Sequence, residues 1–429
     1  MADIFYDPNL TQADRLVLEC LEGDIKTRVE RADTDRQHED PIRADHLDRQ
    51  NTTIATLNAL NDPKSAHFVP TVLNGLDLHT QPLPKWVNRW LLQPYVRLAQ
   101  PVVRHETDVV MFSHLLLYFT TSVPSALFLF WHFTWIHGIA HTIMQLSYVG
   151  TYTLMQHQHI HQRGILNKSF WLFDAVYPYI TDPLMGHSWN SYYYHHVKHH
   201  HVEGNGPDDL SSTLRYQRDN VWHFLHYVGR FYVLIWLDLP RYFLSKGKTG
   251  LALKAASWEF TWYATLATLL RLNKHATIFV FLIPFLLLRV GLMVGNWGQH
   301  CFVDFDEPDS DYRSSITLID VPSNRHCFND GYHTSHHLNP LRHWRDHPLA
   351  FVKGKDLYAS QHALTFHNID YIMITVRVLT KNYRALAECL VPMGDQISMT
   401  MEERMAMLES HTRQFTEEDI RRKFPSKGQ

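Results

Sequence analysis

From Val109 through Gln162 the chain carries no Asp, Glu, Lys or Arg, a run of 54 residues without a formal charge. A single bilayer crossing takes about 20 residues of helix, so this run is too long for one span and right for two joined by a tight connection. A second apolar stretch, 251 to 294, is interrupted by the polar loop Arg271 to Lys274 and outside that loop holds only Lys254, Glu259 and Arg289 as charges. Its two halves again have crossing length. The predicted spans are 109–131, 135–155, 251–270 and 275–294. Val221 to Leu244, with Arg230, Asp238 and Arg241, is expected to lie in the interface and not to cross. The fold class is therefore an all-α integral membrane protein of about four transmembrane helices in two hairpins, with interfacial helices and a cytosolic His-rich cap.

Polar segments flank this region. Residues 1–105 read as a polar cytosolic segment, with helical apolar spacing from Asp14 to Arg31 and a charge-rich, solvated stretch up to Gln50. Before the first span, Trp86, Trp90 and Tyr95 with Lys85, Arg89 and Arg97 suit either the lipid headgroup layer or an ordinary surface helix. Residues 106–350 form the expected membrane domain. Residues 351–429 read as a helical cytosolic tail, in which Thr400–Glu403 and Thr416–Asp419 resemble capping boxes. The acidic start is unlike a signal peptide, so insertion is expected to rely on the internal spans. Four scattered cysteines suggest neither a thiolate site nor a disulfide framework, and a net charge of −3 without a basic stripe gives no support for nucleic-acid binding.

The chemistry-bearing feature is histidine, 31 residues in all. Three clusters stand at the edges of the apolar runs: His157-Gln-His-Ile-His161, His195-His-Val-Lys-His-His-His201 and His333-Thr-Ser-His-His337. Imidazole is the commonest protein ligand for borderline transition metals, and so many nitrogens imply more than one ion. On a helix, His157 and His161 share a face. In the second cluster His196, His199 and His200 share one, although His195 with His199 pairs equally well and His201 is near. His333, His336 and His337 repeat the second spacing. His137 and His141 form a rival first pair deeper in the apolar run, while lone His114 and His132 read as structural. Since each hairpin makes an even number of crossings, all three clusters emerge on one membrane face. The basic ends place that face in the cytosol by the positive-inside rule.

The order HxxxH, HxxHH, HxxHH resembles the membrane fatty-acid desaturase and hydroxylase superfamily. The 39-residue step from His157 to His196, Asn205-Gly-Pro-Asp208 after the second box, and Asn329-Asp-Gly-Tyr-His-Thr-Ser-His-His-Leu-Asn-Pro340 around the third are similar to its pattern. Asn296-Trp-Gly-Gln-His300 resembles its further histidine position. The likeness covers roughly 105 to 350. It implies two non-haem iron ions held by His157, His161, His196, His199, His200, His300, His333, His336 and His337, with O2 as oxidant and a lipid or acyl substrate. No HPGG haem signature occurs, so a separate electron donor such as cytochrome b5 or ferredoxin is implied. Asp174, Asp182, Asp208, Asp209, Asp304, Asn329 and Asp330 are candidates to orient ligand rings, or else are solvated loop groups. Trp131, Trp135, Trp171 and Trp189 are candidate walls of an acyl slot, or else packing and interface anchors.

The expected reaction is insertion of a double bond into an acyl chain. Hydroxylase, ketolase or acetylenase chemistry on the same scaffold stays open, because the outcome turns on fine placement of the substrate. A His-rich metal transporter is the alternative of another class. It would place its ligands within the spans near the bilayer midplane. The expected location is the endoplasmic reticulum membrane in a eukaryote and the inner membrane otherwise. The box-one middle His159, and the extension of box two by His195 and His201, depart from the family pattern and leave the substrate open.

Overall fold

The computed structural model describes residues 4–8, 10–33, 39–73, 83–319 and 321–425. Helices dominate. The first two, α1 (Gln12–Asp33) and α2 (Glu39–Asn61), precede a helix over 85–99, here α3, which leads to the membrane region. Part of the stretch expected to be solvated is therefore helical. Residues 34–38 of it, and the side chains of 31–46, lie outside what is described.

The first apolar segment is a helix, α4 (Val109–Trp131), bent at Thr121. Thr134 caps the next helix, α5 (Trp135–Gln162), by accepting from the backbone N–H of His137. A short helix α6 (Trp171–Leu184) follows, then α7 (Val221–Ser245), α8 (Thr249–Leu272) and α9 (Lys274–Gln299). Asn273 ends α8, caps α9 through Ala276, and donates from Nδ2 to the Phe130 carbonyl at 3.2 Å. The Phe133 ring stacks on His275 at 5.3 Å. Both hairpin tips thus meet at one end of the bundle. Box one lies about 33 Å away from them along α5, at 1.5 Å of rise per residue.

Among the described residues, two helices are long and apolar enough to cross a membrane, α4 and α9. α5 and α8 have the length but less of the apolar character. α5 carries His137, His141, Gln145 and the box-one residues, and α8 carries Lys254 and Glu259. Of the four expected spans, the first and the fourth fall on helices of this kind. α6 is amphipathic: Leu172, Phe173, Val176, Tyr179 and Ile180 stand exposed, while Asp174, Tyr177, Thr181 and Asp182 face inward. That pattern suits a helix lying in an interface.

The two polar ends close over the histidine clusters as one cap. Val17, Leu18 and Leu21 of α1 and Leu57 and Leu60 of α2 bury against Phe351 and Val352 of the later helix His347–Ser360. Asp14 is buried and accepts from Tyr332 Oη at 2.7 Å, the residue directly before box three. Within this cap lies an element the helical reading lacks, a parallel pair β1 (Ile316–Ile319) and β2 (Leu364–His367), with Ile316 opposite Leu364. Both strands are fully buried, as parallel strands generally are. The boxes at Thr400 and Thr416 form, each side chain accepting from the backbone N–H three residues on.

Candidate metal centre

Box one occupies the last turn of α5. His157 and His161 face inward, while His159 points the other way with Nε2 3.0 Å from the Asp174 carbonyl. The helix stops where Arg163 takes a left-handed conformation and Gly164 follows at φ 121°. A side chain at Gly164 would strike the Asp174 carboxylate, which leaves glycine as the residue that fits.

Box two is not α-helical. Tyr193–His200 is a π-helical turn, followed by a short turn His201–Glu203. The i→i+5 hydrogen bonding widens the turn and shifts which side chains share a face. His196 and His201 converge, with Nε2 atoms 3.0 Å apart, and His200 points beside them. His199 lies outside both histidine groups described below. Its Nε2 accepts from the backbone N–H of Leu210 at 3.1 Å, and its ring packs on Tyr242. His195 packs on Phe231 and also lies outside them.

Box three is the helix His333–Leu338, here α10, and it feeds both groups. The first group is His157, His161, His196, His201 and His336; the second is His200, His300, His333 and His337. Within each, one ring nitrogen per residue lies within 4.8 Å of all the others. Eight of the nine residues expected from sequence are therefore brought together. His201 enters where His199 was expected. The rival pair His137 and His141 instead shares Ser125 Oγ, at 2.8 and 2.9 Å, near the hairpin tip. His114 pairs with Tyr118 Oη at 3.2 Å.

The first group has the donor chemistry of a metal site. Nε2 of His157 approaches those of His196 (2.8 Å) and His336 (3.1 Å), and Nε2 of His201 approaches those same two at 3.0 and 2.8 Å. These four contacts form a closed ring of four nitrogens. A neutral imidazole nitrogen either donates one proton or accepts, so two protons at most can serve the ring. His161 adds a fifth buried nitrogen with no partner. Lone pairs aimed at one point, without the protons to satisfy one another, fit a shared metal ion.

The second group is oriented from behind. His200 Nδ1 lies 2.7 Å from Asp209 Oδ2, and His300 Nδ1 donates to the Ser314 carbonyl at 2.7 Å. Each bond fixes the tautomer that leaves Nε2 bare toward the group. His337 Nδ1 lies 3.5 Å from Asp311. Of the seven acids and amides considered from sequence, Asp209 reaches a grouped histidine directly. Asp174, Asp182 and Asp304 serve Ile165 N, Tyr152 and Arg313, while Asp208 pairs with Lys246 and Asn329 with the Trp344 carbonyl. Asp311 and the Ser314 carbonyl carry no local sequence signal.

Burial, reinforced by the neighbouring imidazoles, pushes His157, His196, His201 and His336 well below the ordinary histidine range. The rings are thus neutral near pH 7, the form that binds metal. Burial opposes ionisation of Asp209, but His200, His199 and His195 outweigh it and hold its carboxyl well below the usual range.

A cavity of about 370 Å³ runs from this centre between α5 and α9. Leu146, Val149, Leu154, Leu287, Leu288 and Leu292 line its apolar length. His157, His196, His200 and His333 stand at its inner end beside Asp330 and Gln299. Burial raises Asp330 to about 7 although the Gln299 amide donates to it. None of the four candidate tryptophans lines the cavity. Trp131, Trp135 and Trp171 face outward, and Trp189 packs on Trp262.

Two histidine groups at the inner end of an apolar slot can hold two metal ions against a carbon chain. Comparison with known proteins agrees in kind: the family model described as fatty acid desaturase matches residues 113–368. No curated protein and no solved structure matches the chain significantly.

Proposed function

The chain belongs to the fatty acid desaturase family, and from that membership we propose an O2-dependent membrane oxidoreductase that introduces a double bond into the acyl chain of a lipid. The observation that carries this reading is the meeting of two all-histidine groups with the inner end of an apolar slot. His157, His161, His196, His201 and His336 would hold one iron, and His200, His300, His333 and His337 the other. When bound, the two irons supply the means to use O2 and two electrons from a separate donor protein to remove hydrogen from an unactivated C–H bond.

The protein's own part is placement. Asp209, Asp311 and the Ser314 carbonyl aim the rings, and the leucine-rich wall holds the chain with one segment against the histidines and the rest away from water. Four crossings are supported by the joined hairpin tips at the end opposite the clusters, and a cytosolic cap by the basic polar ends. In a eukaryote the membrane would be the endoplasmic reticulum, otherwise the inner membrane. A transporter would hold its ligands near the bilayer midplane, whereas these histidines cluster where the long helices end.

The test is expression in a host with a working electron-donor chain, with lipid extracts compared by mass spectrometry. Loss of two hydrogens from a lipid species is the expected result. Gain of one oxygen instead makes the protein a hydroxylase. No iron in the purified protein overturns the reading.

A further inference from the structure

Three glycines in the slot are not explained by packing. In membrane helices glycine normally marks a place where another backbone comes close. Gly298 on α9 does so: a Cβ there would lie 2.5 Å from the Tyr371 carbonyl of the helix Tyr371–Leu379, here α11. Gly138 on α5 likewise meets the rings of Phe133 and Phe279. Gly150 on α5 and Gly291 and Gly295 on α9 are different. A Cβ built at any of the three meets nothing within 4 Å, and all three border or face the slot.

The wall at this place is also open to the side. Leu146 and Leu287, which flank the slot on α5 and α9, are 45% and 46% exposed. Above them Ile372 of α11 lines the same cavity and is 61% exposed, and Met373 and Val376 continue its outward apolar face. Apolar side chains of α5, α9 and α11 thus border the same cavity as the histidines and are open to the outside. Surface of this kind on an apolar helix pair suits lipid and not water.

We propose that Gly150, Gly291 and Gly295 keep a lateral opening between α5 and α9, and that the substrate is a bilayer-resident lipid whose chain slides in sideways beneath the α11 lip. This rests on the reading of the slot as the acyl site. The Cβ of a leucine at Gly150 or Gly291 meets no neighbour within 4 Å, so its bulk should block the chain and spare the fold. Gly229 on α7 supplies the matched control, since a Cβ there also meets open space but lies outside the slot.

The experiment uses the full chain in nanodiscs containing a phospholipid with a diazirine in one chain. Irradiation followed by peptide mapping should label α5 and α9 at the slot. Gly150→Leu and Gly291→Leu should lose this labelling at an unchanged melting temperature, while Gly229→Leu keeps it. Turnover of a phospholipid chain by iron-loaded protein should fall with the labelling. Labelling that survives both leucines overturns the proposal. So does conversion of the chain as a soluble thioester but not in the bilayer, an outcome that leaves the desaturase reading standing. If neither form yields product, the desaturase reading falls, and slot labelling still decides whether a bilayer lipid occupies the opening.

Discussion

His196 and His201, five residues apart, bring their Nε2 atoms to 3.0 Å. An α-helix puts residues i and i+4 on one face; the π-helical turn Tyr193–His200 is wider, so His201 comes beside His196 as well as His200, their ring centroids 4.5 and 5.5 Å from it. The same widening sends His200 to the second group and turns His199 out toward Leu210 and Tyr242.

The first prediction separates these two neighbours. His201→Ala should retain about one iron fewer than the wild type and lose turnover by more than about 100-fold, beyond what an outer-shell change costs. His199→Ala should keep its iron and lose less than about tenfold. Metal analysis of the purified proteins decides it, and the π-helical assignment fails if the order is reversed.

Asp209 sets the second prediction. Its carboxylate sits 2.7 Å from His200 Nδ1 and also accepts from Ser211 N and Oγ. Asp209→Asn keeps the shape and removes the charge that orients the ring. Iron affinity or turnover should drop about 10- to 100-fold. A competition titration with a chelator measures the first. A variant that binds iron as the wild type does would leave Asp209 a loop-forming residue.

The count and spacing of the histidine clusters made the centre legible from sequence, since HxxxH and HxxHH are local patterns on helices. What stayed hidden was non-local or conformational. No residue in Tyr193–His200 announces a π turn, so the α-helical period selected His199 over His201. Asp311 reaches His337 only because the loop after His300 folds back. The pairing of Ile316–Ile319 with Leu364–His367 joins segments far apart in sequence. Likewise Leu57 and Leu60, beyond the charge-rich stretch that ends at Gln50, are buried in a core shared between the two ends of the chain, a long-range contact that local pattern does not announce.

A third prediction concerns pH. His343 Nε2 lies 2.8 Å from Asp108 Oδ2, just ahead of α4, and Trp344 Nε1 donates to the other oxygen at 3.1 Å. Burial alone would lower His343, but the charge and hydrogen bond of Asp108 outweigh it and its pKa is raised. Burial alone would raise Asp108, but His343 outweighs it and its pKa is lowered. The His343 contribution is therefore complete below its ordinary value of about 6.5 and is lost as pH rises through the raised one. The Asp108 contribution is complete above about 4 and is lost as pH falls through the lowered one. Buried neutral histidines elsewhere titrate in the opposite sense, so the useful readout is a difference. The gap in melting temperature between wild type and Asp108→Asn should be widest between about pH 4 and 6.5 and close above it. A gap independent of pH would show that the pair is not ionised.

The fourth prediction lies within the helices of the second hairpin. Arg289 on α9 donates to Glu259 on α8 at 2.7 Å, and Ser188 Oγ donates to the other carboxylate oxygen at 2.8 Å. Both charged side chains are buried, and Arg289 also lies over the Phe285 ring at 4.4 Å. Removing one partner strands the other charge in a low-dielectric place, which costs about 3 to 5 kcal/mol. Replacing both by apolar groups of similar size is often neutral. Glu259→Gln should therefore unfold at a clearly lower temperature, while Glu259→Met with Arg289→Met should recover most of the loss. Ser188 stands eight residues before His196, so Glu259 also tethers the segment that delivers box two. The double variant should consequently regain stability yet bind iron less tightly than the wild type, because the Ser188 tether stays broken. Melting curves and iron titrations on the same three proteins separate the two effects. Full recovery of iron affinity in the double variant would reduce the pair to a lock between α8 and α9.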